Sequence, residues 1–226
     1  VLQMNEIILK VTERIRERSK QSREIYLDRM AKAKKEVVNR TRQGCSNLAH
    51  AMAPMEESDK ASLEGLESPN IAIATAYNDM LSAPEPYKLY PTLIKRTLME
   101  LGATAQVAGG VPAMCEGVTQ SQPGMELSLF SRDNIAMGTA IGLSHNVYDG
   151  ALYLGVCDKI VPGLLIGALA FGHLPGLFIP AGPMPSGISN AQKAKVRQEF
   201  AQGKVSEGAL LKVESDSYHS SGTCTF

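Results

Sequence analysis

No apolar run in the sequence approaches the roughly 20 residues that cross a bilayer. No basic start followed by an apolar segment and a small-residue cleavage site opens it. Both absences point to a cytoplasmic protein with no membrane partner. Cysteine is sparse: Cys45, Cys115, Cys157 and Cys224 are scattered without a close CxxC pair. That spacing disfavours zinc ribbons and fingers. A disulfide framework is not expected in a chain of 226 residues without secretory features. Taken singly, each thiol can equally be a small buried hydrophobe. Net charge is missing too, since 23 Lys and Arg balance 23 Asp and Glu. The balance is uneven, because residues 10–42 hold 12 basic against 5 acidic side chains. Acidic residues interleave there and aromatic stacking residues are nearly absent, so that segment reads as a solvated or subunit-facing helix rather than a nucleic-acid arm. Dinucleotide and P-loop signatures are also lacking. "QVAGGVP" has no G-x-G-x-x-G pattern, and "AGPMPSG" has no P-loop lysine, although its backbone N–H groups suit a phosphate at the next helix start.

What is present is an alternation of elements. Apolar residues make up 44% and charged residues 20% of the sequence, as in a globular domain. Ile8, Val11 and Ile15 recur at helical spacing, and no Gly or Pro interrupts residues 5–40. Residues 41–68 read as irregular to weakly helical. Short β-tolerant runs at 71–77, 104–110, 151–156 and 176–182 are predicted strands. Helical patterns cover 90–102, closed by Gly102, then 128–146, 163–172, 190–202 and 206–216. Strands alternating with helices imply βαβ units. The expected fold class is therefore α/β: a largely parallel sheet flanked by helices, with an N-terminal helical segment at 1–66 and an α/β domain at 67–226.

The stretch "GALYLGVCDKIVPG" (150–163) places Cys157, Asp158 and Lys159 where the third strand ends. Ligands of open parallel sheets gather beyond the carboxyl ends of the strands. Cys115, beside Glu116, follows the second strand, and Cys224 lies in a Gly/Ser/Thr segment. Three cysteines on loops able to converge at one sheet edge suggest soft-metal or iron–sulfur ligation. Asn78, Asp79 and Ser82 follow the first strand and either line the site or are solvated loop residues. Arg132 suits bidentate anion recognition or a structural ion pair. His145, His173 and His219 read as hydrogen-bonded structural residues.

Longer ordered stretches carry more. "TAYNDMLSA", "QVAGGVPAMCEGVTQ", "GMELSLFSRDNIAM", "GLSHNVYDGALYLGVCDKIVPG", "GPMPSG" and "YHSSGTCTF" resemble the N-terminal part of the dihydroxy-acid/phosphogluconate dehydratase family. The resemblance implies an iron–sulfur hydro-lyase dehydrating 6-phospho-D-gluconate in the Entner–Doudoroff pathway. A dehydratase of another sugar acid or dihydroxy acid is the alternative. It implies a [4Fe-4S] cluster on Cys157 and Cys224, with Cys115 as third ligand and Cys45 as a structural thiol. It also implies a magnesium ion on Glu116, Asp158 and a carboxylated Lys159, with Lys159 and Asp158 in catalysis. An ion pair or a substrate contact is the other reading of Asp158 and Lys159. Asn78, Asp79, Ser82 and Arg132 are the expected substrate-binding residues, and a homodimer is the expected assembly. Family members continue much further, into a second domain holding the serine thought to act as base. The 226 residues alone are therefore expected to be catalytically incomplete.

Overall fold

The computed structural model describes residues 5–36, 40–64, 67–110, 113–185, 187–218 and 220–222, the side chain of Glu36 excepted. It opens with α1 (Glu6–Glu36), a 31-residue helix, followed by α2 (Cys45–Met52) and α3 (Glu57–Glu64). Then β1 (Asn70–Thr75), α4 (Tyr90–Glu100), β2 (Thr104–Gly109), the one-turn α5 (Glu116–Thr119) and α6 (Ser131–Leu143) follow. The chain continues through β3 (Gly150–Leu154), α7 (Ile160–Ala170), β4 (Gly176–Ile179), α8 (Asn190–Ala201) and α9 (Glu207–Ser217).

The strands form one sheet in the order β2-β1-β3-β4, with every pairing parallel. The α/β class with a parallel sheet flanked by helices is thus observed. Side chains of β1 alternate between two apolar layers. Ala72 and Ala74 join Tyr153, Ile135, Ile160 and Leu164 under α6 and α7. Ile73 points the other way, toward Leu154, Ala105 and Tyr87 on the α4 side. Burial on both faces explains why the central strands β1 and β3 read as continuous apolar runs rather than alternating ones. The strand order reverses direction between β1 and β3, so one crossover runs to each side. Crevices at such a switch point are where open α/β sheets bind ligands.

Two glycines set the spacing of the helical layer on the first face. A Cβ on Gly163 would lie 2.8 Å from the Ile135 side chain and 2.9 Å from the Arg132 carbonyl oxygen. One on Gly167 would lie 2.7 Å from Thr139. Their bare backbones let α7 approach α6 closely. On the other face Tyr87 is fully buried, donates to the Ile179 carbonyl (2.9 Å) and accepts from the Ala181 N–H (2.7 Å). It thereby fastens the exit of β4.

The structure sharpens several boundaries. The weakly helical region after residue 40 contains two helices, α2 and α3, each only about two turns long and therefore faint in periodicity. The fourth strand ends at Ile179, because Pro180 supplies no N–H to a ladder. Helix α7 begins three residues earlier than the apolar pattern suggests, since Pro162 falls in its first turn, where its missing donor costs nothing. Arg40, buried, donates to the Ser68 carbonyl and pairs with Asp149, linking the N-terminal segment to the sheet. The second half of α1 meets the domain through Met30 and through Tyr26, whose hydroxyl donates to the Leu169 carbonyl. Its first half exposes Ile8, Val11 and Ile15.

Candidate active site

At the carboxyl end of β3 the chain leaves the sheet through Gly155 and Val156 and turns at Cys157. The φ of Cys157 is +86°, a left-handed value that a side chain adopts only at a cost. The turn is clamped by the helix that follows: the Val161 N–H donates to the Cys157 carbonyl at 3.1 Å and the Gly163 N–H to the Lys159 carbonyl at 3.0 Å. Cys157 is exposed at this turn, whereas Lys159 folds back and is only 5% exposed.

The Lys159 ammonium donates to Asp158 Oδ2 at 2.7 Å and pairs with Glu116 Oε1. Glu116 opens α5, directly after Cys115 at the helix N-cap, and Cys115 is half-buried. The ion pair therefore joins the loop after β2 to the loop after β3, with a cysteine beside each partner. Hydrogen bonds from Lys159 and Ser128 hold the Glu116 carboxyl below the usual range, against a smaller opposing effect of burial. Burial pulls the Lys159 ammonium down, but its bonds to Asp158 and Glu116 outweigh that and leave it raised. The centre is a lysine ammonium held between two carboxylates.

The remaining residues expected from the sequence are placed as follows. Asn78 accepts the Met80 N–H through Oδ1 at 2.7 Å, and Asp79 accepts the Tyr77 hydroxyl. That bond, with burial and the Asp79 charge, raises the Tyr77 phenol. Ser82 donates to the Gly222 carbonyl (3.1 Å) and accepts the Gly222 N–H (2.9 Å), so it fastens the last described turn to the loop after β1. Arg132 lies in the first turn of α6, with its Nε buried and without a hydrogen-bond partner among the described residues. Cys45 is exposed at the start of α2. Cys224 and His219 lie outside the described residues. His145 turns Nδ1 to the Gly142 carbonyl at 2.8 Å, and burial lowers His173. Glu116, Asp158 and Lys159 thus form one bonded network. Asn78, Asp79 and Ser82 bond within the loop after β1 or to the tail, not to that network.

Sequence reasoning passed over two residues. Ser128 is 2% exposed and donates to Glu116 Oε1 at 2.7 Å. No spacing rule links it to a glutamate twelve positions earlier. Tyr77 ends the strand predicted at 71–77, where an aromatic reads as core, but in the structure it lies just beyond β1.

Fold and site together define a class: a parallel α/β domain with a lysine–carboxylate centre, flanked by cysteines, on the carboxyl edge of its sheet. Comparison with known proteins narrows this. A family model described as dihydroxy-acid/6-phosphogluconate dehydratase, N-terminal, matches residues 68–226. The chain belongs to this family. It is 58% identical over 223 residues to phosphogluconate dehydratase of Escherichia coli K12, covering 99% of this chain and 37% of that protein. To the phosphogluconate dehydratase of Rhizobium meliloti it is 62% identical over 219 residues, or 97% of this chain and 36% of that protein. A dihydroxy-acid dehydratase of Akkermansia muciniphila is 31% identical over 171 residues, 72% of this chain and 30% of that protein. The chain thus spans a little over a third of the length of its phosphogluconate dehydratase relatives. None of its described helices is long and apolar enough to cross a membrane.

Proposed function

We propose that the protein is a hydro-lyase that dehydrates 6-phospho-D-gluconate to 2-dehydro-3-deoxy-6-phospho-D-gluconate, in the Entner–Doudoroff pathway. The observation that carries the reading is the Glu116–Lys159–Asp158 network, set between Cys115 and Cys157 at the switch-point edge. The identity to phosphogluconate dehydratases over nearly the whole chain supports it.

Dehydration of a 2,3-dihydroxy acid removes a weakly acidic proton from C2 and hydroxide, a poor leaving group, from C3. Negative charge grows on the substrate carboxylate as the C2 proton leaves. A buried ammonium aimed at that carboxylate stabilises it most in the transition state, since its field is little screened. Lys159 meets this requirement: it is charged, nearly covered and prevented from swinging into water by its two carboxylate partners. Asp158, more exposed, holds the ammonium from the other side. Arg132 supplies a guanidinium for the phosphate or carboxylate of the substrate, its buried Nε still to be satisfied. Loss of the C3 hydroxyl leaves an enol that tautomerises to the 2-keto-3-deoxy acid.

A [4Fe-4S] cluster at this edge would draw on Cys157, exposed on a strained turn, and Cys115 beside Glu116, with Cys224, outside the described residues, as the third ligand. Such a cluster, when bound, supplies a Lewis-acidic iron for the leaving hydroxyl. The convergence of Glu116 and Asp158 on one cation also fits magnesium, which prefers carboxylate oxygen. Lys159 joins that ion only in a carboxylated form, since its ammonium has no lone pair to give. We further propose a cytoplasmic homodimer pairing through the exposed first half of α1.

The test is turnover by the anaerobically prepared full-length protein that carries this chain. A 2-keto-3-deoxy acid formed from 6-phosphogluconate, and far less from gluconate, supports the reading. Preference for an unphosphorylated sugar acid or a branched dihydroxy acid replaces the substrate. No keto acid from any of them refutes the reaction.

A further inference from the structure

The two hydrogen bonds to Glu116 fall on the same oxygen. Ser128 Oγ donates to Oε1 at 2.7 Å and the Lys159 ammonium donates to Oε1 as well. Oε2 has no bonding partner among the described residues, and the Glu116 side chain is 35% exposed. The carboxylate is therefore anchored by one oxygen and presents the other.

Ser128 is built to be that anchor. It closes the short 3-10 turn Pro123–Leu127, and its own N–H donates to the Met125 carbonyl at 2.9 Å. Its carbonyl accepts both the N–H (3.2 Å) and the hydroxyl (2.6 Å) of Ser131, at the start of α6. The backbone of Ser128 is thus fixed from both sides, and its one donor proton is committed to Glu116. Lys159 is a less constant partner, because it divides its protons between Glu116 and Asp158 and faces the substrate in the reaction proposed above. A hydroxyl on rigid backbone holds Glu116 independently of how the ammonium shares its bonds between the two carboxylates.

We infer that Ser128 is the positioning residue of the site: it fixes the rotation of the Glu116 carboxylate so that Oε2 faces the reacting groups. The role in turnover rests on the dehydratase reading, whereas the Ser128–Glu116 coupling does not. Outer partners that orient a functional carboxylate typically matter about 10–100-fold in affinity or activity.

Two cycles test this. In the 226-residue chain, melting temperatures are measured for Ser128→Ala, Glu116→Ala and the double variant. Coupling predicts that Ser128→Ala lowers the melting temperature clearly with Glu116 present and by less than half as much in the Glu116→Ala background. Equal drops overturn the coupling. In the full-length enzyme, Ser128→Ala is expected to lower kcat/KM about 10–100-fold, and Ser128→Thr, which keeps the hydroxyl, to restore most of it. Ser128→Ala is expected to add nothing to the loss in Glu116→Ala. An active wild type with an equally active Ser128→Ala overturns the positioning role. If Ser128→Ala fails to fold, the threonine variant decides: activity within a few-fold of wild type supports the role, and a loss as large as that of Glu116→Ala overturns it. A wild type inactive on every sugar acid instead overturns the dehydratase reading and with it the role in turnover, while the melting cycle still judges the contact.

Discussion

Replacing Lys159 with methionine removes the cation and keeps most of the side-chain volume. In the wild type the lysine is 5% exposed, while the side chains of its partners Glu116 and Asp158 are 35% and 72% exposed. Breaking one side of a fully buried ion pair costs about 3–5 kcal/mol, whereas a fully exposed pair contributes about 0–1 kcal/mol. The orphaned carboxylates here reach water, so the expected loss is about 1–2 kcal/mol. In a chain of this size that is a drop of about 2–8 °C in melting temperature at neutral pH. The pH dependence gives the sharper check. Glu116 is lowered by Lys159 and Ser128, so its share of stability is present above about pH 4.5 and drains away as pH falls through the lowered folded-state value. Lys159 is raised, so its share is present below about pH 10.5 and disappears as pH rises through the raised value. The stability gap between wild type and Lys159→Met, from urea titrations across this range, is widest between those limits and narrows at both ends. A gap that is absent at pH 7, or constant with pH, refutes the ion-pair account of the centre.

Other consequences are as direct. Gly163→Ala places a methyl against the Arg132 carbonyl and Ile135, and is expected to cost about 1–3 kcal/mol in urea denaturation. Gly208→Ala, in α9 with no close contact, is expected to gain a few tenths to 1 kcal/mol. Tyr87→Phe strands the Ile179 carbonyl and the Ala181 N–H and should lose about 1–3 kcal/mol. Burial pushes both Tyr87 and Tyr153 up to about 12, and Tyr77 and Tyr148 are raised as well, so alkaline absorbance titration should show a late-ionising group of phenols that is one smaller in Tyr87→Phe. Cys157→Gly relieves a left-handed side-chain conformation and should raise stability by about 1 kcal/mol while removing a thiol that the proposed cluster would use. Calorimetry with iron analysis reads both effects.

The sheet was legible because each strand is a short run bounded by Gly, Pro or Asn, and the central β1 and β3 are buried on both faces. Gly102, with φ +75°, closes α4 where the sequence places the helix end. Helices α2 and α3 were faint, being too short to repeat a pattern. The start of α7 was obscured by Pro162 and Gly163, which read as a turn although both fit a helix beginning at Ile160. At the site, "CDK" and "MCEG" pointed to the two loops that the Lys159–Glu116 ion pair joins, but no spacing rule tells which lysine folds inward. The bond between Lys159 and Glu116 spans 43 positions and depends on β2 and β3 ending at the same edge. Ser128 was hidden for the same reason: its role exists only once the turn before α6 lies against α5.

Iron and acid-labile sulfide, counted per chain after anaerobic reconstitution of the full-length protein and its Cys157→Ser variant, test the central claim most directly. The account predicts about four of each in the wild type and a severe loss in the variant. A wild type without iron, or a variant that holds as much as the wild type, would contradict it.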